Sequence, residues 1–171
     1  MSSNLVQMIA NILDELLKSL NDNSQFITSQ IDQKGKDISE APGRMQSRYD
    51  SSKQELGYMA DSLNKRLLVI RGEIAALEKF RRENKQLTVT HCEIGIGSLF
   101  GLRDGEGEKE FYLILPVGGG TSFPSNEFGE ITVISPDSPL AKAVIGKKNG
   151  DEMQFGTNKM KLLTMEGNEN G

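Results

Sequence analysis

The stretch that decides the fold of the first half of this chain is LGYMADSLNKRLLVIRGEIAAL, residues 56–77. Its apolar residues recur at alternating spacings of three and four, which is the period of a coiled-coil seam. These residues are Leu56, Met59, Leu63, Leu67, Ile70, Ile74 and Leu77. The stretch therefore predicts a long helix that buries one narrow stripe.

A second stripe lies upstream and mirrors the first about Pro42-Gly43. It consists of Ile38, Ile31, Ile27, Leu20, Leu16, Ile12 and Leu5, which would pair in that order with Met45, Ser52, Leu56, Leu63, Leu67, Ile70 and Leu77. An antiparallel helix pair with a short turn has this symmetry. We predict a coiled-coil hairpin over residues 1–84, with its tip at about 37–45. The poor helix formers Asn21 to Ser24 favour a local kink in the first arm.

The composition excludes several classes of protein. Of the 171 residues, 36% are hydrophobic and 26% are charged, and the net charge is −4, so the chain lacks the basic field of a sequence-independent nucleic-acid binder. One cysteine, Cys92, allows no internal disulfide. The sequence shows neither a signal peptide nor an apolar run long enough to span a membrane. We expect a cytoplasmic protein without membrane association.

The second half changes to short β-like runs separated by Gly and Asp. The predicted strands are Val89–Ile94, Leu99–Arg103, Phe111–Pro116, Ile131–Ile134, Met153–Phe155 and Met160–Met165. Asp104-Gly-Glu-Gly fits a hairpin turn, and residues 117–129 read as a loop long enough to be mobile. The pattern predicts a small antiparallel sheet.

One short helix interrupts these strands. Ser138 fits the N-cap, Pro139 the first helical position and Gly146 the position just past the end. Leu140 and Val144, four residues apart, would place one face on the sheet. The fold class is therefore α+β, with a helical hairpin followed by a β domain that carries one helix.

The segment ISPDSPLAKAVIGKKNGDEM, residues 134–153, resembles the C-terminal domain of the bacterial transcript-cleavage factors GreA and GreB. The likeness extends back to about Val89, and a helical hairpin ahead of this domain is also the Gre layout. The resemblance implies an FKBP-like domain over residues 85–167, and we expect residues 168–171 to be a disordered tail.

The resemblance also implies a function. Gre factors are transcription elongation regulators that dock at the rim of the RNA polymerase secondary channel and insert their coiled coil into it. Two tip carboxylates then help hold a second Mg²⁺, and the polymerase cleaves backtracked RNA. On this basis the chain is not itself an enzyme, has no cofactor of its own and meets nucleic acid only through the polymerase. Asp137, Ser138 and Pro139 lie in the segment that resembles the docking surface.

The tip departs from the Gre pattern. Gre tips carry the functional Asp and Glu seven and four residues before a Tyr, and the same count from Tyr49 gives Pro42 and Met45, which do not bind cations. Asp37 and Glu40 keep the same spacing in another register and would share the Mg²⁺ with the polymerase. The alternative is that they are two solvated acids.

The sequence leaves other functions open. Without the tip acids, the chain would be a regulator of the secondary channel that does not stimulate cleavage. An FKBP-like domain suggests a prolyl isomerase, but the chain has no Trp to line such a pocket. A third interpretation is a coiled-coil adaptor that self-associates, whereas pairing of the two stripes within one chain predicts a monomer.

Overall fold

The structure is a computed structural model that describes residues 2–40, 48–84, 93–156 and 158–164. The chain divides into two compact units. The hairpin unit is Glu15–Ala76, and the sheet unit combines Met1–Asp14 with Leu77–Gly171. Both boundaries fall inside helices, whereas the sequence suggested a division near residue 84. The predicted tail, 168–171, lies outside the described residues.

Two long helices precede six strands and one short helix, which confirms the predicted α+β class. The helices are α1 (Ser2–Glu40), α2 (Arg48–Glu83) and α3 (Pro139–Val144). The strands are β1 (Leu99–Arg103), β2 (Lys109–Ile114), β3 (Ser122–Ser125), β4 (Gly129–Ile134), β5 (Glu152–Phe155) and β6 (Asn158–Thr164). None of the described helices is long and apolar enough to cross a membrane.

Helix α1 runs without a break through its polar stretch, Asn21 to Ser24. Asn21 Nδ2 donates to the carbonyl of Leu17 at 2.8 Å, and Thr28 Oγ1 donates to the carbonyl of Ser24 at 2.8 Å. These side chains bond to carbonyls one turn earlier in the same helix. The helical ladder therefore tolerates the poor helix formers.

The hairpin unit is held together by an aliphatic seam, but its register differs from the prediction. Ile27 is buried with Leu67 and Ile70, whereas the mirrored pattern paired Ile27 with Leu56. Partly buried residues extend this cluster: Leu20, Ile31, Leu63 and Ile74. Apolar residues that repeat every three or four positions specify which face of a helix is buried. They do not specify the pairing, because shifting one helix along the other by about 11 residues, or three turns, brings the same face back to the partner. The predicted pairing was wrong for this reason, and Pro42-Gly43 lies outside the described residues.

The sheet unit contains the first turns of α1 and the last turns of α2. Leu5, Ile9 and Ile12 are buried on α1, as are Leu77 and Phe80 on α2. Two polar contacts also involve these helices: Asp14 Oδ1 accepts from Arg81 Nη1 at 2.8 Å, and Ser125 Oγ donates to Met8 Sδ at 3.5 Å.

The strands form one sheet in the order β3-β4-β2-β1-β6-β5. Strands β2 and β4 are parallel, with Phe111 opposite Ile131, so the expectation of an antiparallel sheet was wrong for this pair. The cause is β3, which takes the edge position and sends the chain back as β4 between β3 and β2. The predicted hairpin turn joins β1 and β2, with Gly107 at φ +93°.

Two strand predictions need correction. Ser122–Ser125 is an edge strand inside the segment expected to be a loop; its one buried side chain, Phe123, gave too little alternation to reveal it. Glu93 and Ile94 are not in a strand, and residues 89–92 lie outside the described residues. Ile94 is nevertheless buried, and its backbone N–H donates to the carbonyl of Lys147 at 2.9 Å.

Helix α3 covers one face of the sheet. Ala141 and Val144 are fully buried against the strands, and Leu140 packs at the edge of the same cluster. The sheet contributes Phe100, Leu102, Ile114, Ile134, Met153 and Leu162 to it. Burial of this helix fixes the position of the loop that precedes it.

Candidate functional site

The first candidate site is the loop that begins α3. Ser138 is the N-cap, with extended backbone angles (φ −62°, ψ 148°), and its Oγ accepts from the N–H of Ala141 at 3.1 Å. Pro139 follows as the first helical residue, as predicted from helix-terminus physics. Gly146 lies just past the end of the helix at φ +83°. The predicted helix boundaries are therefore confirmed.

The side chain of Asp137, unlike that of Ser138, points into solvent. Its side chain is 96% exposed, and Lys142 Nζ lies 3.7 Å from its Oδ1. Pro139 is also exposed. The loop thus presents a carboxylate and a rigid ring to solvent, while the hydroxyl of Ser138 between them accepts a hydrogen bond from the protein backbone.

The glycine-rich segment Gly118–Gly120 supports this loop from behind. A Cβ added at Gly119 would lie 3.1 Å from the backbone N of Ser135, and the N–H of Gly120 donates to the carbonyl of Val133 at 2.8 Å. A side chain at Gly119 would therefore displace the strand end that leads into Asp137. These glycines fall in the segment that the sequence predicted to be a mobile loop, so this role was missed. Their run of three was the available signal.

The second candidate site is the end of α1. Asp37 is exposed, its Oδ1 accepts from Gln33 Nε2 at 3.0 Å, and Lys34 Nζ lies 4.0 Å from its Oδ2. Glu40 is the last residue of the helix, three positions later. Because both residues are helical, this spacing places them on neighbouring positions of one face. The side chain of Glu40 is outside the described part, as are Pro42 and Met45.

The chemistry of the tip limits what it can bind alone. Mg²⁺ prefers six oxygen ligands, and Asp37 and Glu40 offer carboxylates for only part of such a shell. Among the residues that the structure describes, no group of three or more His, Cys, Asp or Glu side chains could hold a metal ion. A cation at the tip would need further ligands from another molecule.

Comparison with known proteins gives the family. The model for the C-terminal domain of the transcription elongation factors GreA/GreB matches residues 90–165. Transcription elongation factor GreA of Streptococcus gordonii is 30% identical over 128 residues, which cover 70% of this chain and 69% of that protein. This chain belongs to the GreA/GreB family. The family is one of elongation factors rather than enzymes, in agreement with the prediction.

Two further matches are weaker. GreA of Streptococcus sanguinis is 28% identical to this Gre chain over 128 residues, with the same coverage of both proteins. The crystal structure of GreA factor homolog 1 (Gfh1) of Thermus thermophilus is 18% identical and superimposes with a TM-score of 0.34, covering 92% of this chain and 94% of that chain. The family assignment depends on the sequence matches alone.

Proposed function

We propose that this Gre-family chain is a cytoplasmic regulator that binds bacterial RNA polymerase at the rim of its secondary channel and inserts the end of its helical hairpin into that channel. The observation that carries the proposal is the match to GreA, which covers 70% of the chain and therefore extends beyond the C-terminal domain. The two-helix hairpin ahead of a mixed sheet provides the parts that this action needs.

The loop at the start of α3 is the proposed docking surface. The exposed carboxylate of Asp137 can accept a hydrogen bond from a cationic or N–H group of the partner. Pro139 offers apolar surface, and because its ring is already rigid, binding costs it little conformational entropy. Ser138 holds both in position through its hydrogen bond to the helix. Docking would therefore meet a preformed surface.

The end of α1 is the proposed site of action. Asp37 and Glu40 would supply two carboxylates to a Mg²⁺ whose other ligands belong to the polymerase. A second metal in such a site stabilises the attacking and leaving oxygens during hydrolysis of the RNA. The role of this chain would be to carry the ligands, and the Lys34 ammonium and the Gln33 amide would compete with the ion for the carboxylate of Asp37.

A non-cleaving regulator is the second candidate, and two observations favour it. Lys34 and Gln33 already contact the carboxylate of Asp37, and Pro42 and Met45 occupy the positions where Gre tips carry their acids. In this version the hairpin enters the same channel and changes transcription without adding a metal ligand.

The docking test is co-purification of the full chain with core RNA polymerase. We expect Asp137→Ala to weaken binding at least several-fold and Glu127→Ala, an exposed acid in the β3–β4 turn, to bind like the wild type. Absence of binding by the wild-type chain would overturn the proposed function. Equal binding by the Asp137→Ala and Glu127→Ala variants would show that Asp137 is not part of the docking surface.

The tip test uses stalled, backtracked elongation complexes. If the chain stimulates cleavage, we expect Asp37→Ala with Glu40→Ala to abolish stimulation while polymerase binding persists, and Asp32→Ala, an exposed acid on the same helix, to retain it. Stimulation that survives the double substitution would refute the metal role. Binding and altered elongation without any cleavage would establish the second candidate.

A further inference from the structure

Three glycines lie inside the two long helices, where glycine is the least favoured residue after proline. They are Gly35 in α1 and Gly57 and Gly72 in α2. Glycine is usually required in a helix for close packing or for a positive φ. Neither reason applies here, because a Cβ added at any of them meets nothing within 4 Å and none has a positive φ. Gly119 shows the contrast, since its added Cβ would lie 3.1 Å from a backbone atom.

Gly35 and Gly57 lie at nearly the same level of the hairpin unit. Ile31 and Leu63 both pack against the cluster around Ile27, one on each helix. Gly35 follows Ile31 by four residues, and Gly57 precedes Leu63 by six. At a rise of 1.5 Å per residue, they stand about 6 Å and about 9 Å farther along the hairpin. Two of the three helical glycines therefore lie within one helical turn of each other along the hairpin.

The described side chains beyond this level are less buried than those of the seam. Among residues 32–37, 39 and 54–62, whose side chains the structure describes, none is buried. Tyr58 and Met59 are 66% and 55% exposed, although Met59 belongs to the predicted seam. By contrast, Ile27 is 1% exposed and Ile70 is 4% exposed. The described distal side chains therefore bury less apolar surface than the seam around Ile27 does.

We propose that the distal part of the hairpin unit opens as a separate segment, with Gly35 and Gly57 as its paired hinge. The segment comprises Lys36–Glu40 of α1 and Arg48–Leu56 of α2. Its helices open while the seam around Ile27, Leu67 and Ile70 stays folded. This behaviour is a property of the free protein and does not depend on the proposed binding to RNA polymerase.

Native-state hydrogen exchange of the free, full-length chain tests the hinge. In the wild type, amides of residues 36–40 and 48–56 should exchange through a local opening, at least 100-fold less protected than amides beside Ile27 and Leu67. Each of Gly35→Ala and Gly57→Ala should slow distal exchange about fivefold, and the double variant about 25-fold. Each added methyl enters open space, so these variants should fold like the wild type.

Gly72→Ala is the matched control. It is also an exposed helical glycine with open space, but in sequence it lies between the seam residues Ile70 and Ile74. It should leave distal exchange unchanged. Distal amides as protected as those of the seam, unchanged distal exchange in the double variant, or equal slowing by Gly72→Ala would each overturn the proposal.

Discussion

At the scale of single residues, Ser138 determines how the proposed docking loop is held. Its Oγ accepts from the N–H of Ala141 at 3.1 Å, which satisfies one of the unpaired donors at the start of α3. Asp137 and Pro139 flank it, so the same hydrogen bond that begins the helix also orients the two exposed groups.

We predict that Ser138→Ala lowers the free energy of unfolding of the sheet unit by about 1 kcal/mol, because the helix loses its cap. Ser138→Asp, which keeps an acceptor at the same place, should cost much less. Urea denaturation in a Tyr49→Phe, Tyr58→Phe background would measure both, since Tyr112 is then the sole tyrosine and reports on the sheet unit. Equal stability of the alanine variant and its parent would show that the cap contributes nothing.

Tyr112 is the residue whose titration the fold changes. Burial, then its hydrogen bond to Glu110 Oε2 at 2.7 Å and the charge of Glu110, raise the pKa of Tyr112 above its usual range. Its ring also stacks on Phe100, with ring centroids 5.7 Å apart. The folded state therefore favours the neutral phenol.

The sign of the pH effect follows from this direction. Because the folded pKa is raised, the stabilisation by Tyr112 is complete below the unfolded pKa of about 10 and is lost as pH rises above it. In the same single-tyrosine background, tyrosinate absorbance should appear at higher pH in the folded protein than in urea. Glu110→Gln should move the folded midpoint down. A midpoint that is the same folded and unfolded would show that neither burial nor Glu110 keeps the phenol of Tyr112 neutral.

At the scale of elements, the sequence determines the face of a helix better than its partner. The three-four spacing placed Ile27, Leu67 and Ile70 in the seam correctly, since a stripe needs only local periodicity. The predicted pairing of α1 with α2 was wrong because a shift of three turns presents the same apolar stripe to the partner helix. Likewise the cap residues located α3, but β3 depends on its pairing with β4, with Phe123 opposite Ile131, and has little local pattern.

The register of the helices can be tested through the Asp14–Arg81 pair. Reversing one charge, in Asp14→Arg or Arg81→Asp, should lower the free energy of unfolding by about 0.5 kcal/mol, because both side chains are about half exposed. The double reversal should recover most of this loss, as the ion pair is restored with opposite polarity. Denaturation at low and high salt would measure the coupling. Losses that simply add would show that the two residues do not face each other.

At the scale of the whole molecule, the order of the parts and the family were predictable from the sequence. The run from Ile134 to Met153 combines helix caps and turns in a fixed order, so it identified both the fold of the second half and its relatives. The limits of the compact units were not predictable, because the ends of α1 and α2 group with the sheet unit through contacts distant in sequence, such as Met8 with Ser125.

The oligomeric state is the remaining prediction at this scale, and we expect a monomer. A coiled-coil dimer would need an apolar stripe free to pair, but Ile27 and Leu67 are 1% and 7% exposed within a single chain. Phe26 and Leu68, two exposed apolar side chains of the described helices, do not belong to the cluster around Ile27. Light scattering across a tenfold range of concentration should give the mass of one chain throughout. A dimer that Leu68→Lys dissociates would instead place an intermolecular contact on the outer face of α2.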